Sequence, residues 1–332
     1  MVPGHPGGPI NTGNGGIKQI PLTCSGHTRP VVQLQFSPVL EDGSYLLISA
    51  CKDGNPMLRI GATGDWIGTF KGHKGAVWCA RLNMDASRAV TASADFSAKV
   101  WDTFSGEVLH TFQHKHIVRA VDISPDGRYV VTGGHEKVVR MYDLTTPDAA
   151  PRLAMGHEAT IKGIVWDQWH GVLITHAEEP GVRIWDLRTL KSSHVLETPD
   201  PVTSVELSSD GAVISATAGK AVYFWDADTY ELVKTINMTF AASCVTLHPT
   251  RARFVVGSSS DLWVRVYDLA SGQELELYKG HHGPVHTVSY SPDGEVYATG
   301  SEDGTIRLWQ TIPGTEYGLW QAHSWQLPPA FQ

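Results

Sequence analysis

Cysteine is scarce in this chain. Cys24, Cys51, Cys79 and Cys244 are spread over 332 residues, and no two stand as C-x-x-C. That argues against a disulfide framework and fits a reduced, intracellular chain whose buried thiols act as small apolar groups. Positive charge is short too. Lys and Arg number 26 against 34 Asp and Glu, a net charge of -8. Non-specific nucleic-acid affinity needs a basic face, so no direct nucleic-acid contact is expected. No apolar run is long enough to span a bilayer, and no membrane association is expected. Met1–Gly16 has neither the basic start nor the apolar core of a signal peptide. Its Gly, Pro and Asn content reads as a disordered tail, residues 1–16. Helix signals are nearly absent, and no Gly-rich phosphate loop stands between a strand and a helix.

Self-similarity is what the chain does have. Gly280 to Trp309 reads as Gly-His, an apolar strand, Ser-Pro-Asp-Gly, a strand, Ser-Glu-Asp-Gly and a strand ending in Trp. The same His-to-Trp separation returns at His73–Trp101 and His157–Trp185, and at His114–Tyr142 with Tyr for Trp. With the Trp position as marker, the series is Arg59, Trp101, Tyr142, Trp185, Trp225, Tyr267 and Trp309, in steps of about 40–43 residues. A period of that length with four strands per unit is the WD-repeat pattern. Seven markers predict a seven-bladed all-β WD40 propeller of four-stranded antiparallel blades over residues 17–321, followed by a C-terminal tail at 322–332.

A second regularity does not depend on the marker. Counted from each His position, apolar residues recur at +4, +7 and +9, as in Val77/Ala80/Leu82 and Val285/Val288/Tyr290. Steps of three then two fit neither a helical face nor strict alternation. They predict a strand with one extra residue, a β-bulge, between +4 and +7. Hairpin turns follow at Pro125-Asp126-Gly127, Asp210-Gly211 and Pro292-Asp293-Gly294. A propeller must also be closed. The strand Lys18–Thr23 is expected to complete the last blade, with Gly314–Trp320 as the competing segment.

His, Ser, Asp and Trp recur together, at His73, Ser93, Asp95 and Trp101 and again at His281, Ser301, Asp303 and Trp309. A hydrolase triad occurs once, beside an oxyanion site, whereas this set belongs to the repeat. A buried indole N–H needs an acceptor, and Ser, His and Asp can relay that bond to the loops. The sets are therefore expected to be structural, complete only in units two and seven, with units five and six the loosest. His114-Lys115-His116 and His281-His282 lack metal-finger spacing and nearby thiolates, so no metal and no cofactor are expected, and no catalytic residue.

Function then falls to a binding face. The Gly-His and Asp loops share one end of each blade. Residues at His+5, beside the bulge, are Trp78, Arg119, Lys162 and His286; residues just before the Asp position are Lys52, His135, Glu178 and Glu302. All eight point to one candidate partner surface. Trp78 and Arg119 lead, because interface hot spots favour Trp, Tyr and Arg.

Several stretches go beyond repeat consensus: Cys24–Val32, Leu47–Arg59, Thr63–Phe70, Gly72–Trp78, Ala94–Val100, His114–Val118 and Gly300–Gln310. Through them, including Arg59 in the Trp position, the chain resembles the serine/threonine kinase receptor-associated (Unr-interacting) protein family over about residues 17–320. The resemblance implies a non-catalytic scaffold shared between cytoplasm and nucleus. It implies membership of the SMN complex, which assembles spliceosomal snRNPs, as a monomer contacting Gemin-like subunits and an Unr-like RNA-binding protein. In animals the family also damps receptor signalling. Two other readings stay open. One is the propeller subunit of translation initiation factor 3. The other is a cullin-ligase substrate receptor, because Trp185-Asp186-Leu187-Arg188 resembles the W-D-x-R adaptor motif.

Overall fold

The computed structural model describes residues 19–313, and every regular element among them is a strand. The two sequence-defined tails, 1–16 and 322–332, and the competing closure segment 314–320 lie outside the described residues. Within each antiparallel sheet, strands adjacent in sequence are hydrogen-bonded neighbours, and the first strand of the chain joins the last sheet. Five sheets are four-stranded. The remaining one is seven-stranded because Ser192–Leu207 is continuous, its first half pairing with Pro180–Asp186 and its second with Val213–Ala218. It is the outermost strand of blade four and the innermost of blade five, so the architecture is seven four-stranded blades.

Every blade touches the next, and blade seven touches blade one, closing a ring. The last blade is completed by Leu22–Cys24, which pairs antiparallel with Ile306–Leu308. The N-terminal segment therefore closes the ring, although the strand is shorter than expected. Seven apolar clusters fill the seven gaps between blades. Marker aromatics Trp101, Tyr142, Trp185, Trp225, Tyr267 and Trp309 each face the preceding blade. The gap between blades seven and one has no aromatic marker, since its marker is Arg59. There Phe36 and Tyr45 meet edge to face at 5.7 Å and supply the bulk.

The extra residue appears in every blade. Register shifts by one between Val31 and Gln33, Val77 and Cys79, Val118 and Ala120, Ile161 and Gly163, Val202 and Ser204, Ala242 and Cys244, and Val285 and Thr287. The residues left over are Val32, Trp78, Arg119, Lys162, Thr203, Ser243 and His286, one from each blade.

The innermost strands leave edge N–H groups facing the central channel, where they need acceptors. Side chains of the preceding blade supply them. Gln33 Oε1 accepts from Ala80 N (3.0 Å), Asp122 from Trp166 N (2.8 Å), Glu206 from Leu247 N (3.1 Å), and Thr287 Oγ1 from Leu34 N (3.1 Å).

Candidate functional site

In blade seven the polar relay runs outward from the indole. Trp309 Nε1–H donates to Thr299 Oγ1 (2.8 Å), the Thr299 hydroxyl donates to His281 Nε2 (2.7 Å), and His281 Nδ1–H donates to Asp303 (3.0 Å). Indole can only donate and an ionised carboxylate can only accept, so the direction of the chain and the neutral His tautomer are both set. Asp303 also accepts the N–H of His282 (2.9 Å), which ties the loop entering the blade to the Asp turn. Burial pulls the His281 pKa to about 4, partly offset by Asp303. Burial works against the charge of Asp303 too, but the His282 N–H, Thr305 and His281 hold its carboxyl well below the usual range.

Blade two repeats the chain through Trp101, Thr91, His73 and Asp95 at 2.8, 2.7 and 2.8 Å. Blade four does so through Trp185, Thr175, His157 and Glu179 at 2.8, 2.7 and 2.7 Å. Two expectations are thereby corrected. Three relays are complete, because Glu179 reaches as Asp does. The hydroxyl link is also Thr91 or Thr299, and Ser93 and Ser301 are not part of it. Trp101 is paired with Ala89, so Thr91 is its diagonal neighbour on the same face. Ser93 lies two residues further along the strand, about 7 Å away and beyond indole reach. Ser93 and Ser301 donate instead to the carbonyls of Gly75 (3.3 Å) and Gly283 (2.9 Å) and accept the N–H groups of Asp95 and Asp303. They brace the Asp turn. Ser301 and Thr299 are fully buried, and neither hydroxyl is presented to a substrate.

The other blades depart further. In blade one, His27 keeps Asp53 (3.0 Å) and takes Ser49 (2.8 Å), while the buried Arg59 guanidinium donates to the carbonyls of Gly64 (3.0 Å) and Ser25. In blade three, Arg140 comes within 3.2 Å of His114 Nδ1 and pairs with Glu136; burial and Arg140 together bring the His114 pKa to about 4. In blade five, Thr198 accepts the Gly181 N–H and donates to Asp200 O, both at 2.8 Å. In blade six, Met238 replaces His, and Arg265 lies 3.9 Å over Phe240 while pairing with Asp261 at 2.7 Å. His27, Cys51 and Asp53 approach metal-ligand spacing. Their atoms are already engaged: His27 between Ser49 and Asp53, the Cys51 thiol donating to Arg29 O, with its pKa pushed up by burial to about 12.

All seven bulge residues line one mouth of the channel, a cavity of about 370 Å³. Of the eight candidate surface residues, Lys52, Trp78, Arg119, Lys162 and His286 are in its wall. Glu178, Glu302 and His135 are exposed at the rim. The set is connected. Arg119 lies over the Trp78 ring, its guanidinium carbon 3.8 Å from the centroid, with Lys52 Nζ at 5.6 Å. Lys52 and His286 both reach Glu302 (3.6 and 2.6 Å), and Lys162 pairs with Glu178 (2.8 Å). Val32, Thr203 and Ser243 complete the ring and were legible from the +5 rule, which reached them but gave them no chemistry. Arg81 is a further wall residue with no sequence signal of its own. It also lines a second cavity of about 430 Å³, whose rim includes the exposed Val39, Met84 and Trp169; several wall residues are shared, so the two cavities are the ends of one channel. In the Trp185–Arg188 stretch, Trp185 is locked in the blade-four relay, and the exposed Arg188 side chain reaches Asp186 at 3.3 Å.

Seven antiparallel blades with repeated His–Asp relays and a bulge-lined mouth define a WD-repeat β-propeller. The family model described as "WD domain, G-beta repeat" matches residues 64–102, 106–143, 188–226 and 272–310. Within that class, the chain is 50% identical over 305 residues to the serine-threonine kinase receptor-associated protein of Gallus gallus, covering 92% of this chain and 86% of that protein. It is 46% identical over 291 residues to the protein of the same name from Dictyostelium discoideum, covering 87% and 98%. The chain belongs to the serine-threonine kinase receptor-associated protein family. A more distant similarity, 27% over 317 residues, links it to eukaryotic translation initiation factor 3 subunit I of Culex quinquefasciatus, covering 87% of this chain and 95% of that protein.

Proposed function

We propose that this protein is a non-catalytic scaffold for ribonucleoprotein assembly, a subunit of the SMN complex that assists spliceosomal snRNP assembly and mRNA processing. In this reading it works as a monomer within the larger complex, in cytoplasm and nucleus, holding Gemin-like subunits and an Unr-like RNA-binding protein. The observation that carries it is half-identity to receptor-associated family members across 305 residues, 92% of this chain. The mouth supports it as a binding face: its polar loops are pinned by relays, and its hot-spot residues Trp78 and Arg119 stand in the wall. Affinity purification with mass spectrometry from the native cell tests it. Recovery of Sm and Gemin-like proteins, lost on combined Trp78→Ala and Arg119→Ala with unchanged melting, is the expected result. The likeness to initiation factor 3 subunit I favours one second reading. Co-sedimentation with small ribosomal subunits, without Sm proteins, would move the assignment there.

A further inference from the structure

The mouth is uneven in its chemistry. Blades two, three and four contribute Trp78, Arg119 and Lys162, while blades five and six contribute Thr203 and Ser243. Lys162 and Lys52 already have carboxylate partners in Glu178 and Glu302. Arg119 does not. Among the described residues no carboxylate lies within ion-pair distance of it, and no acceptor meets its guanidinium N–H groups. It is half-buried and held in place by stacking on Trp78. Beside it, the Trp78 indole N–H is buried and also lacks an acceptor. The Trp78 N–H is fully desolvated and unsatisfied, and the Arg119 guanidinium beside it is partly stripped of water with no acceptor in the protein, so a bound acceptor would satisfy both. A planar guanidinium on an aromatic face is pre-organised for a planar, two-oxygen anion.

We propose that the partner segment seated at this mouth presents an Asp or Glu side chain, whose carboxylate is received by Arg119 on the face of Trp78. This rests on the scaffold reading and adds the chemistry of the occupant. Glu178 and Glu302 decide between anions. They stand on the rim beside the donors, where their charge disfavours a polyphosphate chain more than a single carboxylate flanked by neutral or basic residues. The net charge of -8 opposes RNA in the same way.

The test pans a random displayed-peptide library, which has no free carboxy terminus, against the full chain, and measures the selected peptides in amidated form by fluorescence anisotropy. Asp or Glu is expected at one position of the selected sequences. Binding should weaken about tenfold or more when that residue becomes Asn or Gln, and by a similar factor on Arg119→Met. Methionine keeps an apolar stem on Trp78, so melting should not change. Glu302→Gln should leave binding equal or tighter. Selected peptides without acidic enrichment, peptides indifferent to Arg119→Met, displacement by single-stranded RNA or inorganic phosphate, or failure to select any peptide would each overturn the proposal. Peptides that lack an acid yet are lost on Trp78→Ala would sink the carboxylate alone. The scaffold reading falls separately, if purification from the native cell recovers no partner protein.

Discussion

Blades two, four and seven keep the relay, and blades five and six have discarded it. The hydroxyl and the histidine were lost together. Position His+18 holds Thr91, Thr175 and Thr299 in the first group, but Ala216 and Val256 in the second, both fully buried. Thr198 and Met238 replace His at the same time. Buried polar networks stabilise when every member is satisfied and cost more than an apolar core when one is missing, so a half-relay is the arrangement to avoid. The ring tolerates the loss because cohesion between blades comes from the apolar clusters, and those persist in every gap. Trp225 stays buried and stacks on Tyr223 at 5.5 Å; Tyr267 stacks on Phe254 at 5.2 Å.

What the relay adds is loop placement at the mouth. In blade two the turn into the blade starts at Gly72, in the left-handed region at φ 155°, where a Cβ would sit 3.3 Å from the Trp101 ring. In blade five the equivalent residue is Glu197, and the glycine turn is replaced by a bow in the ladder: Val182 pairs with Leu196 and Pro180 with Pro201, so residues 197–200 arch out within Ser192–Leu207. The bulge residues follow the same division. Relay blades present Trp78, Lys162 and His286, whereas blades five and six present Thr203 and Ser243.

The comparison can be broken most directly at its centre. Thr299→Val strands the Trp309 N–H and the His281 Nε2 together and should cost about 3 kcal/mol by denaturant melting, against about 1 kcal/mol for Ser301→Ala. Equal losses would restore the serine to the relay. The reverse change, Val256→Thr, places a lone hydroxyl in a relay-free blade and should cost about 2 kcal/mol. A stabilising result would mean that the blade retains partners for it.

Acidity separates the two groups next. The folded His281 pKa of about 4 is below the ordinary 6.5, so its contribution is present above pH 6.5 and is lost as pH falls toward 4. Glu206, in the channel wall of blade five, behaves oppositely. Burial raises its pKa to about 7, against hydrogen bonds from Thr246 and Leu247, so its contribution is present below pH 4.5 and is lost as pH rises through 7. Melting of His281→Asn should therefore lose steepness on the acid limb, and Glu206→Gln should gain stability on the alkaline side. Parallel pH profiles would contradict both assignments. The smallest effect is expected in native-state hydrogen exchange, with blades five and six exchanging faster near the mouth than blades two and seven. Uniform protection would show that relays do not set local opening.

Much of the fold was legible because it is local and repeated. The +4, +7, +9 spacing located a bulge that all seven blades contain, and the 28-residue separation located every relay histidine that exists. The hydroxyl was misread because Thr91 and Ser93 share a strand face, and only the cross-strand register selects between them. The continuous strand between blades four and five was hidden by Pro199 and Pro201, residues that ordinarily argue against a central strand.

By itself, the sequence determined the number of blades, the position of the bulge in each and the bulge residues at the mouth, since strand periodicity and turn chemistry act over a few neighbouring residues. Tertiary structure alone decided that Leu22–Cys24 closes the ring on Ile306–Leu308 and that Trp78 supports Arg119. These contacts join residues from different blades or opposite ends of the chain. Their geometry follows from how whole sheets pack around a channel, which no local pattern records.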